Sequence, residues 1–236
     1  MARGTPDRRL VLSCEHASNH VPRDLAPLFR GERAILATHR GWDAGALDVS
    51  NGLARRLRAP LVAGDTTRLI VDLNRSPHNR TLYSRFTRAL PLAERRALVA
   101  RFHAPHWARV ERVVARAARP VVHVAIHSFT PVLGDDVRDF ELGLLYDPKR
   151  ARERRFADAL HAGLAARAPE VRVRRNAPYR GTSDGLPTAF RKARRPADYL
   201  GLEIELNQAV LGTRRERAGW VALLAPVLRE ALAKTS

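Results

Sequence analysis

The feature that most constrains the fold of this chain is a regular alternation of short apolar stretches with longer amphipathic ones. The clearest short stretch is 121–126, which is almost continuously apolar and rich in β-branched residues. Such a run is typical of a strand that is buried on both faces, as strands are in parallel sheets. Apolar residues at helical spacing fill the longer stretches between the strand candidates. The alternation predicts an α/β fold, a three-layer sandwich in which helices cover both faces of a mainly parallel sheet.

The same patterns place the remaining elements and the loops between them. Further strands are predicted at 9–14, 60–63, 69–72, 141–146, 171–173 and 200–206. Helices are predicted at 43–58, at 91–119 with a break near Pro105, at 148–167 and at 214–234. Loops that cover a site are predicted at 77–87, 130–139 and 176–187, because binding residues are often carried by loops. No repeat or linker divides the chain, so we expect one domain over residues 1–236.

Composition excludes several classes of protein. The 236 residues are 45% hydrophobic, which suits one core of ordinary size. No stretch approaches the roughly 18 apolar residues of a membrane helix, and the first residues lack the apolar segment of a signal peptide. Cys14 is the only cysteine, which excludes an internal disulfide and a metal site built from several cysteines. We therefore expect a soluble cytoplasmic protein with no membrane partner, while its oligomeric state stays open.

The formal net charge of +18 suggests a polyanionic partner, but its distribution argues against one. Lysine occurs only at 149, 192 and 234, so nearly all of the 42 basic residues are arginine. A chain rich in arginine and alanine and poor in lysine is what GC-rich coding produces. The arginines are spread along the chain, and aromatic residues, which stack on nucleic-acid bases, make up only 6%. We therefore do not expect nucleic acid to be the partner.

Polar residues with chemical potential follow the predicted strands. His16 follows the first strand, His127 follows 121–126, and Glu203 and Glu205 alternate with the apolar residues of 200–206. Ligands of open α/β sheets bind outside the carboxyl ends of the strands. Two histidines from separate strands, with carboxylates nearby, predict a divalent-metal site with one open position. Each residue alone has an ordinary explanation, such as a hydrogen-bonded histidine, a solvated sheet edge or, for Asp43, a helix cap, so the prediction depends on their joint occurrence.

Six blocks of the sequence carry a resemblance to a known family. They are Ser-Cys-Glu-His-Ala-Ser-Asn-His-Val-Pro at 13–22, Trp-Asp-Ala-Gly-Ala at 42–46, Asp-Leu-Asn-Arg at 72–75, Ile-His-Ser-Phe at 126–129, Ala-Pro-Tyr at 177–179 with Gly181 and Asp184, and Leu-Glu-Ile-Glu-Leu-Asn-Gln at 202–208. In this order the blocks resemble the N-formylglutamate amidohydrolase family. That family is similar to the zinc carboxypeptidases and the zinc-dependent muramoyl-alanine amidases. The resemblance implies their phosphorylase/hydrolase-like fold.

The resemblance implies that His16 and His127 bind zinc or another divalent metal. The third ligand differs between the two related families. The amidases have a carboxylate at the head of the helix after the first strand, which corresponds to Asp43. The carboxypeptidases have a glutamate three residues after the first histidine, which corresponds to Asn19. Because a carboxylate is a better zinc ligand than an amide, we prefer Asp43 and keep Glu15 in reserve.

The resemblance also implies hydrolysis of an N-acyl amino acid to an acid and a free amino acid. In the best-known case of the family the products are formate and glutamate, late in histidine degradation. Glu205 matches the glutamate of the late strand in the related families, so we expect it to transfer the proton from water to the leaving amine. Glu203 lies two residues away on the same face and is the alternative.

A small anionic substrate is expected from the same resemblance. Arg75, with Asn74 beside it, suits a substrate carboxylate, because a guanidinium group pairs with it through two hydrogen bonds. Arg68 and, on the loop at 177–184, Arg180 are further candidates. The segment after Asp184 lacks histidines that the family leads us to expect, so another acyl group or amine stays open. Amidase action on a peptidoglycan fragment and a catalytically silent polyanion-binding protein are the alternative functions.

Overall fold

A six-stranded sheet forms the centre of the computed structural model, which describes residues 7–235. Its strands are β1 (Leu10–Cys14), β2 (Leu61–Ala63), β3 (Val121–Phe129), β6 (Leu142–Leu145), β7 (Val173–Arg175) and β8 (Tyr199–Asn207), and a separate hairpin is formed by β4 (Val132–Leu133) and β5 (Asp136–Val137). The order across the sheet is β2-β1-β3-β8-β6-β7. In this order the first four strands, β2, β1, β3 and β8, are mutually parallel, whereas β6 pairs antiparallel with β8 and parallel with β7. The carboxyl ends of β1, β3 and β8 therefore meet at one rim of the sheet.

Helices cover both faces of this sheet, which confirms the predicted three-layer α/β fold. They are α1 (Ala46–Leu57), α2 (Leu92–Leu98), α3 (Ala104–Arg116), α4 (Ala151–Arg167), α5 (Leu186–Lys192) and α6 (Arg214–Lys234). The main core lies between the sheet and α1, α4 and α6. A smaller apolar cluster joins the opposite face to α3 and α5. No helix within residues 7–235 is both long enough and apolar enough to cross a bilayer.

The structure corrects two of the predicted elements. Residues 69–72 form no strand, because Ile70 and Val71 are buried in a third apolar cluster with Phe29, away from the sheet. The helical segment predicted from 91 does not break near Pro105. It continues from α2 through a π-helical turn, Val99–His103, directly into α3, whose second residue is Pro105.

The predicted loops are only partly irregular. The segment 130–139 contains the β4–β5 hairpin, and α5 begins at the end of 176–187. The edge strand predicted at 171–173 is formed by 173–175 instead. The ends of the other predicted strands and helices are shifted by at most three residues.

Candidate metal centre and active site

Three side chains meet at the rim where the parallel strands end. His16 lies just after β1, His127 lies within β3, and Asp43 precedes α1. The backbone N–H of Asp43 donates to the carbonyl of His16 at 3.0 Å, which ties the start of α1 to the end of β1. All three side chains are buried. The residues predicted from separate parts of the sequence are therefore brought together by the sheet.

The three side chains are arranged as a group that could hold one metal ion. The Asp43 Oδ2 atom lies 2.8 Å from the His127 Nδ1 atom and 3.4 Å from the His16 Nδ1 atom. One ligand atom from each residue lies within 4.8 Å of the others. His16 Nδ1 is buried and has no hydrogen-bond partner among the described residues. The third member is thus Asp43, as preferred from the sequence, whereas Asn19 is exposed and outside the group.

Each histidine also faces a buried carboxylate with its other ring nitrogen. His16 Nε2 lies 2.7 Å from Asp72 Oδ1, and His127 Nε2 lies 3.0 Å from Glu15 Oε2. Glu15, the reserve ligand of the sequence analysis, is therefore on the side of the imidazole that faces away from Asp43. Asp72 was missed as a site residue. Its place at the head of the 72–75 block was the only signal for it.

The charges of the group are strongly coupled. Burial opposes ionisation of Asp43, but His16 and His127 more than offset it and hold the pKa of Asp43 well below its ordinary value. Burial likewise opposes the charge on His127, but the hydrogen bond to Asp43 and the neighbouring Glu15 carboxylate hold its pKa well above the ordinary value. The pKa of Glu15 falls to about 2 despite complete burial, chiefly because the His127 imidazole lies beside it. Positive charge is therefore strongly favoured between these carboxylates.

Glu203 and Glu205 of β8 line the same cavity as His16, Asp43 and His127. Both are buried, so neither lies on a solvated edge of the sheet. Glu203 Oε2 accepts a hydrogen bond from Asn74 Nδ2 at 3.4 Å and lies 3.8 Å from His127 Nε2. Glu205 Oε2 has no hydrogen-bond partner among the described residues. Burial, reinforced by the charges of Asp43 and Glu203, raises the pKa of Glu205 to about 8.

The three candidate arginines have different surroundings. Arg68 Nη2 lies 2.8 Å from Asp72 Oδ2 and Arg68 Nη1 lies 3.7 Å from Asp43 Oδ1, so its charge is already matched within the site. Arg75 Nη1 donates to the carbonyls of Asn74 and Asp184, each at 2.9 Å. Arg180 is exposed at the mouth of the pocket.

These residues surround a cavity of about 190 Å³. Its lining also includes residues to which the sequence analysis gave no role: His39, Ser128, Phe129, Thr130, Leu145, Tyr179, Ser183 and Asp184. The loop at 177–184 forms part of the wall as predicted, and Thr130 comes from the predicted loop 130–139. The loop at 77–87 does not line the cavity. It supports the wall instead, since Asn79 Nδ2 donates to Asp184 Oδ2 at 2.6 Å.

A glycine lets the 177–184 loop approach the sheet beside Glu205. Gly143 pairs with Glu205 across β6 and β8. A Cβ atom at position 143 would lie 2.1 Å from the carbonyl oxygen of Ala177. Because such a contact is not tolerated, glycine is required here for the loop to close this side of the pocket.

Residues 8–211 match the N-formylglutamate amidohydrolase family. The chain belongs to this family. No curated protein matches the sequence significantly. Among solved structures, the gene product Atu2144 from Agrobacterium tumefaciens is 30% identical, with a TM-score of 0.82 over 96% of this chain and 91% of that chain. An N-formylglutamate amidohydrolase from Ralstonia eutropha JMP134 is 22% identical, with a TM-score of 0.68 over 97% and 94% of the two chains.

A more distant likeness concerns the fold alone. The CwlD amidase from Clostridioides difficile is 8% identical, with a TM-score of 0.50 over 96% of this chain and 99% of that chain. Membership of the family, by contrast, supports amidohydrolase activity. The resemblance stated from the six sequence blocks is therefore confirmed.

Proposed function

We propose that this protein is a metal-dependent amidohydrolase that cleaves an N-acyl amino acid, similar to N-formylglutamate, into an acid and a free amino acid. His16, Asp43 and His127 would hold the metal, with zinc as the expected ion. The observation that carries the proposal is the convergence of these three buried side chains at the carboxyl ends of β1 and β3. A small anionic substrate, a single domain over the whole chain and a cytoplasmic location are parts of the same proposal.

The donor set fits a zinc ion. Two imidazole nitrogens and one carboxylate oxygen are typical of catalytic zinc sites, which keep a further position open. His16 Nδ1 is the strongest single sign, because a buried ring nitrogen aimed at Asp43 has no hydrogen-bond partner in residues 7–235. When bound, a divalent metal supplies Lewis-acid chemistry, which polarises a carbonyl group and lowers the pKa of water.

The glutamates of β8 would handle the protons of the reaction. Hydrolysis adds the oxygen of water to the acyl carbon, breaks the C–N bond and delivers a proton to the leaving amine. Glu205 would accept the proton of water and pass it on, and its unpartnered Oε2 atom and raised pKa suit a group that both takes and gives a proton. Glu203 is the alternative, although its Oε2 atom already accepts a hydrogen bond from Asn74.

Arg75 and Arg180 would bind the substrate carboxylates. Arg68 is less suited, since it is paired with Asp72 and Asp43, and we propose that it keeps those carboxylates in place. Two carbonyl groups fix the Arg75 guanidinium from one side. Arg180 forms no ion pair within residues 7–235 and lines the pocket where a carboxylate would enter. Such charge pairing favours an acidic acyl amino acid over a neutral one.

Metal content tests the site. Purified wild-type protein should contain close to one zinc per chain, and His127→Ala should contain far less. His161→Ala is the matched control, because it also removes one histidine but lies on α4, outside the pocket lining. Equal zinc in wild type and His127→Ala would contradict the proposed site.

A product assay tests the reaction. We expect release of acid and amine from some members of a panel of N-formyl, N-acetyl and N-succinyl amino acids, with N-acetylmuramoyl-L-alanine as the peptidoglycan arm. Glu205→Gln should lower kcat by about 100- to 10,000-fold, the usual contribution of a general acid–base. Undiminished activity would remove Glu205 from the mechanism, and a large loss in Glu203→Gln alone would move the role to Glu203. Zinc binding without any hydrolysis of the panel would argue against the proposed substrate class.

A further inference from the structure

The side chain of Glu15 has no place in the mechanism above, yet it is completely buried beside the candidate metal ligands. We propose that Glu15 is a positioning residue, which holds the Nε2–H of His127 so that the Nδ1 atom of the same ring is presented to the metal. The proposal rests on the proposed function, since it assumes that His127 binds a metal. Asp72 occupies the corresponding position behind the other histidine, with Oδ1 2.7 Å from His16 Nε2.

The two nitrogens of His127 face two different carboxylates. Nδ1 lies 2.8 Å from Asp43 Oδ2, and Nε2 lies 3.0 Å from Glu15 Oε2. A ring nitrogen that binds a metal carries no proton, so the single N–H of the neutral imidazole must be on the other nitrogen. For a metal between His16, Asp43 and His127, that nitrogen is Nε2. Its nearest carboxylate oxygen is Glu15 Oε2 at 3.0 Å, and Asn74 Nδ2 lies 3.4 Å away. A carboxylate in this position fixes both the tautomer and the orientation of a ligand histidine.

The surroundings of Glu15 support this role over that of a ligand. In residues 7–235, His127 is the only basic group that forms an ion pair with Glu15. A buried carboxylate without such a partner would be costly, so the position needs the histidine as much as the histidine needs the acceptor. Asp43 and Glu15 lie at opposite nitrogens of one planar ring, so Glu15 does not point at the ion that Nδ1 would bind.

The backbone holds Glu15 firmly in place. Gly64 passes so close that a Cβ atom there would lie 2.0 Å from the carbonyl oxygen of Glu15. The N–H of Gly64 also donates to the carbonyl of Cys14 at 2.9 Å. Tight packing between the end of β1 and the residues after β2 therefore leaves Glu15 little freedom to move toward Asp43. This rigidity is what a group that orients another side chain requires.

Zinc affinity, measured by competition with a chromogenic chelator, tests the proposal without relying on activity. Glu15→Gln should bind zinc about 10- to 100-fold more weakly than wild type, the usual effect of losing a carboxylate behind a ligand histidine. Glu15→Asp keeps the charge but withdraws it by one methylene, and it should weaken binding less. Glu153→Gln is the matched control, because Glu153 is an equally buried carboxylate that pairs with Arg191, away from the metal ligands. Its zinc affinity should equal that of wild type.

Cobalt(II) absorption separates positioning from direct ligation. If Glu15 orients His127, the cobalt-loaded Glu15→Gln protein should keep the coordination number and band intensity of wild type despite its lower affinity. A change in coordination number would identify Glu15 as a ligand and overturn the proposal. Unchanged zinc affinity in both Glu15 variants would overturn it as well, while the proposed function stood. Wild-type protein that binds neither metal would instead defeat the proposed function itself, and this inference with it.

Discussion

The two faces of the central sheet differ sharply, although the same strands build both. On one face, Leu202 and Ile204 of β8 lie in the main core with residues of α1, α4 and α6. On the other face, Glu203 and Glu205 of the same strand line the pocket. Successive side chains of a strand point to opposite faces, so one strand can serve both surfaces without any irregularity. The comparison teaches that stability and chemistry are separated here by a single step along the chain.

Position along the strands matters as well as the face. At the amino-terminal end of the polar face, Val11, Val121 and Tyr199 pack in the smaller apolar cluster with α3 and α5. The charged residues follow only toward the carboxyl ends, where these helices no longer cover the sheet and the pocket opens. A face of the sheet is therefore not functional as a whole. It becomes so near the rim where the loops and the start of α1 add Asp43, Arg75 and the 177–184 segment.

The largest effects on stability and on kcat are expected from separate substitutions of two neighbouring residues that lie on opposite faces of β8. Ile204→Ala should lower the free energy of unfolding by about 2–5 kcal/mol, because a fully buried side chain is lost from the core. The kcat of the molecules that remain folded should stay close to that of wild type. Glu205→Gln should show the reverse pattern, a large loss of kcat without loss of stability. Urea unfolding and kcat at a temperature where both variants are folded measure the two quantities.

The comparison between the two faces would fail if one of these substitutions changed both stability and kcat. If Ile204→Ala lowered kcat as strongly as Glu205→Gln, the two faces would be coupled through the strand, and the separation argued above would be wrong. Leu206→Ala, another buried residue on the core face, is the control that distinguishes a general effect from one at position 204.

A second expected effect is a stability cost of Glu205 that depends on pH. Burial raises the pKa of Glu205 to about 8 in the folded protein, whereas the unfolded chain has an ordinary carboxyl pKa. The protonated carboxyl therefore stabilises the fold at pH values below the unfolded pKa, and this contribution is lost as the pH rises through about 8. Glutamine resembles the protonated carboxyl at all pH values, so Glu205→Gln does not lose this stabilisation as the pH rises. Between pH 5 and pH 8, the free energy of unfolding of the metal-free variant should therefore increase relative to that of metal-free wild type by up to about 1.4 kcal/mol per pH unit.

Urea unfolding at pH 5 and pH 8, with a chelator present, measures this gain. Glu141→Gln is the control. Hydrogen bonds from Arg172 lower the pKa of Glu141, so its carboxyl is largely ionised in both the folded and the unfolded chain from pH 5 to pH 8, and the difference from wild type should be the same at the two pH values. An equal difference between Glu205→Gln and wild type at both pH values would show that Glu205 has no raised pKa, and with it the polar face would carry no stability cost at this position.

The contrast between the faces also explains what the sequence could predict. Alternation in 200–206 and the β-branched run at 121–126 specified β8 and β3, because period and burial are encoded locally. The bounds of α6 were predicted to the residue. In the structure its start is fixed by a capping box, in which Thr213 and Glu216 bond to each other's backbone N–H. The apolar run at 69–72 was misread as a strand, because apolar residues alone do not distinguish a strand from a buried turn.

Most of the site residues that could be predicted lie in the six sequence blocks. His16, Asp43 and His127 were predicted together, and the structure brings them together. Their roles, like the single-domain organisation, stay predictions. The partners of the outer ring nitrogens, Glu15 and Asp72, were not predictable as such, because ring orientation depends on contacts between distant segments. His39 had no signal at all in the sequence.

The smallest expected effect comes from a substitution on the polar face outside the pocket. It tests whether a buried polar group on this face contributes to catalysis even when it does not line the pocket. His123 Nδ1 lies 2.7 Å from the Tyr199 hydroxyl, and His123 Nε2 lies 2.8 Å from the Ser13 hydroxyl, all beneath the apolar cluster. Burial lowers the pKa of His123 to about 4, so the ring is neutral and each nitrogen needs its partner. Tyr199→Phe should cost about 1–3 kcal/mol of stability, the penalty for an unsatisfied buried group, and leave kcat unchanged.

The half-exposed Tyr179 provides the comparison for this last variant. Its hydroxyl accepts a hydrogen bond from Arg138 at 3.3 Å at the rim of the pocket. Tyr179→Phe should change stability by no more than about 0.5 kcal/mol, as surface substitutions usually do, and any effect should appear in KM. If Tyr199→Phe lowered kcat without changing stability, the hydrogen-bonded series of Ser13, His123 and Tyr199 would affect the metal centre. Polar groups would then be functional along the whole face, and the division between its two ends would disappear.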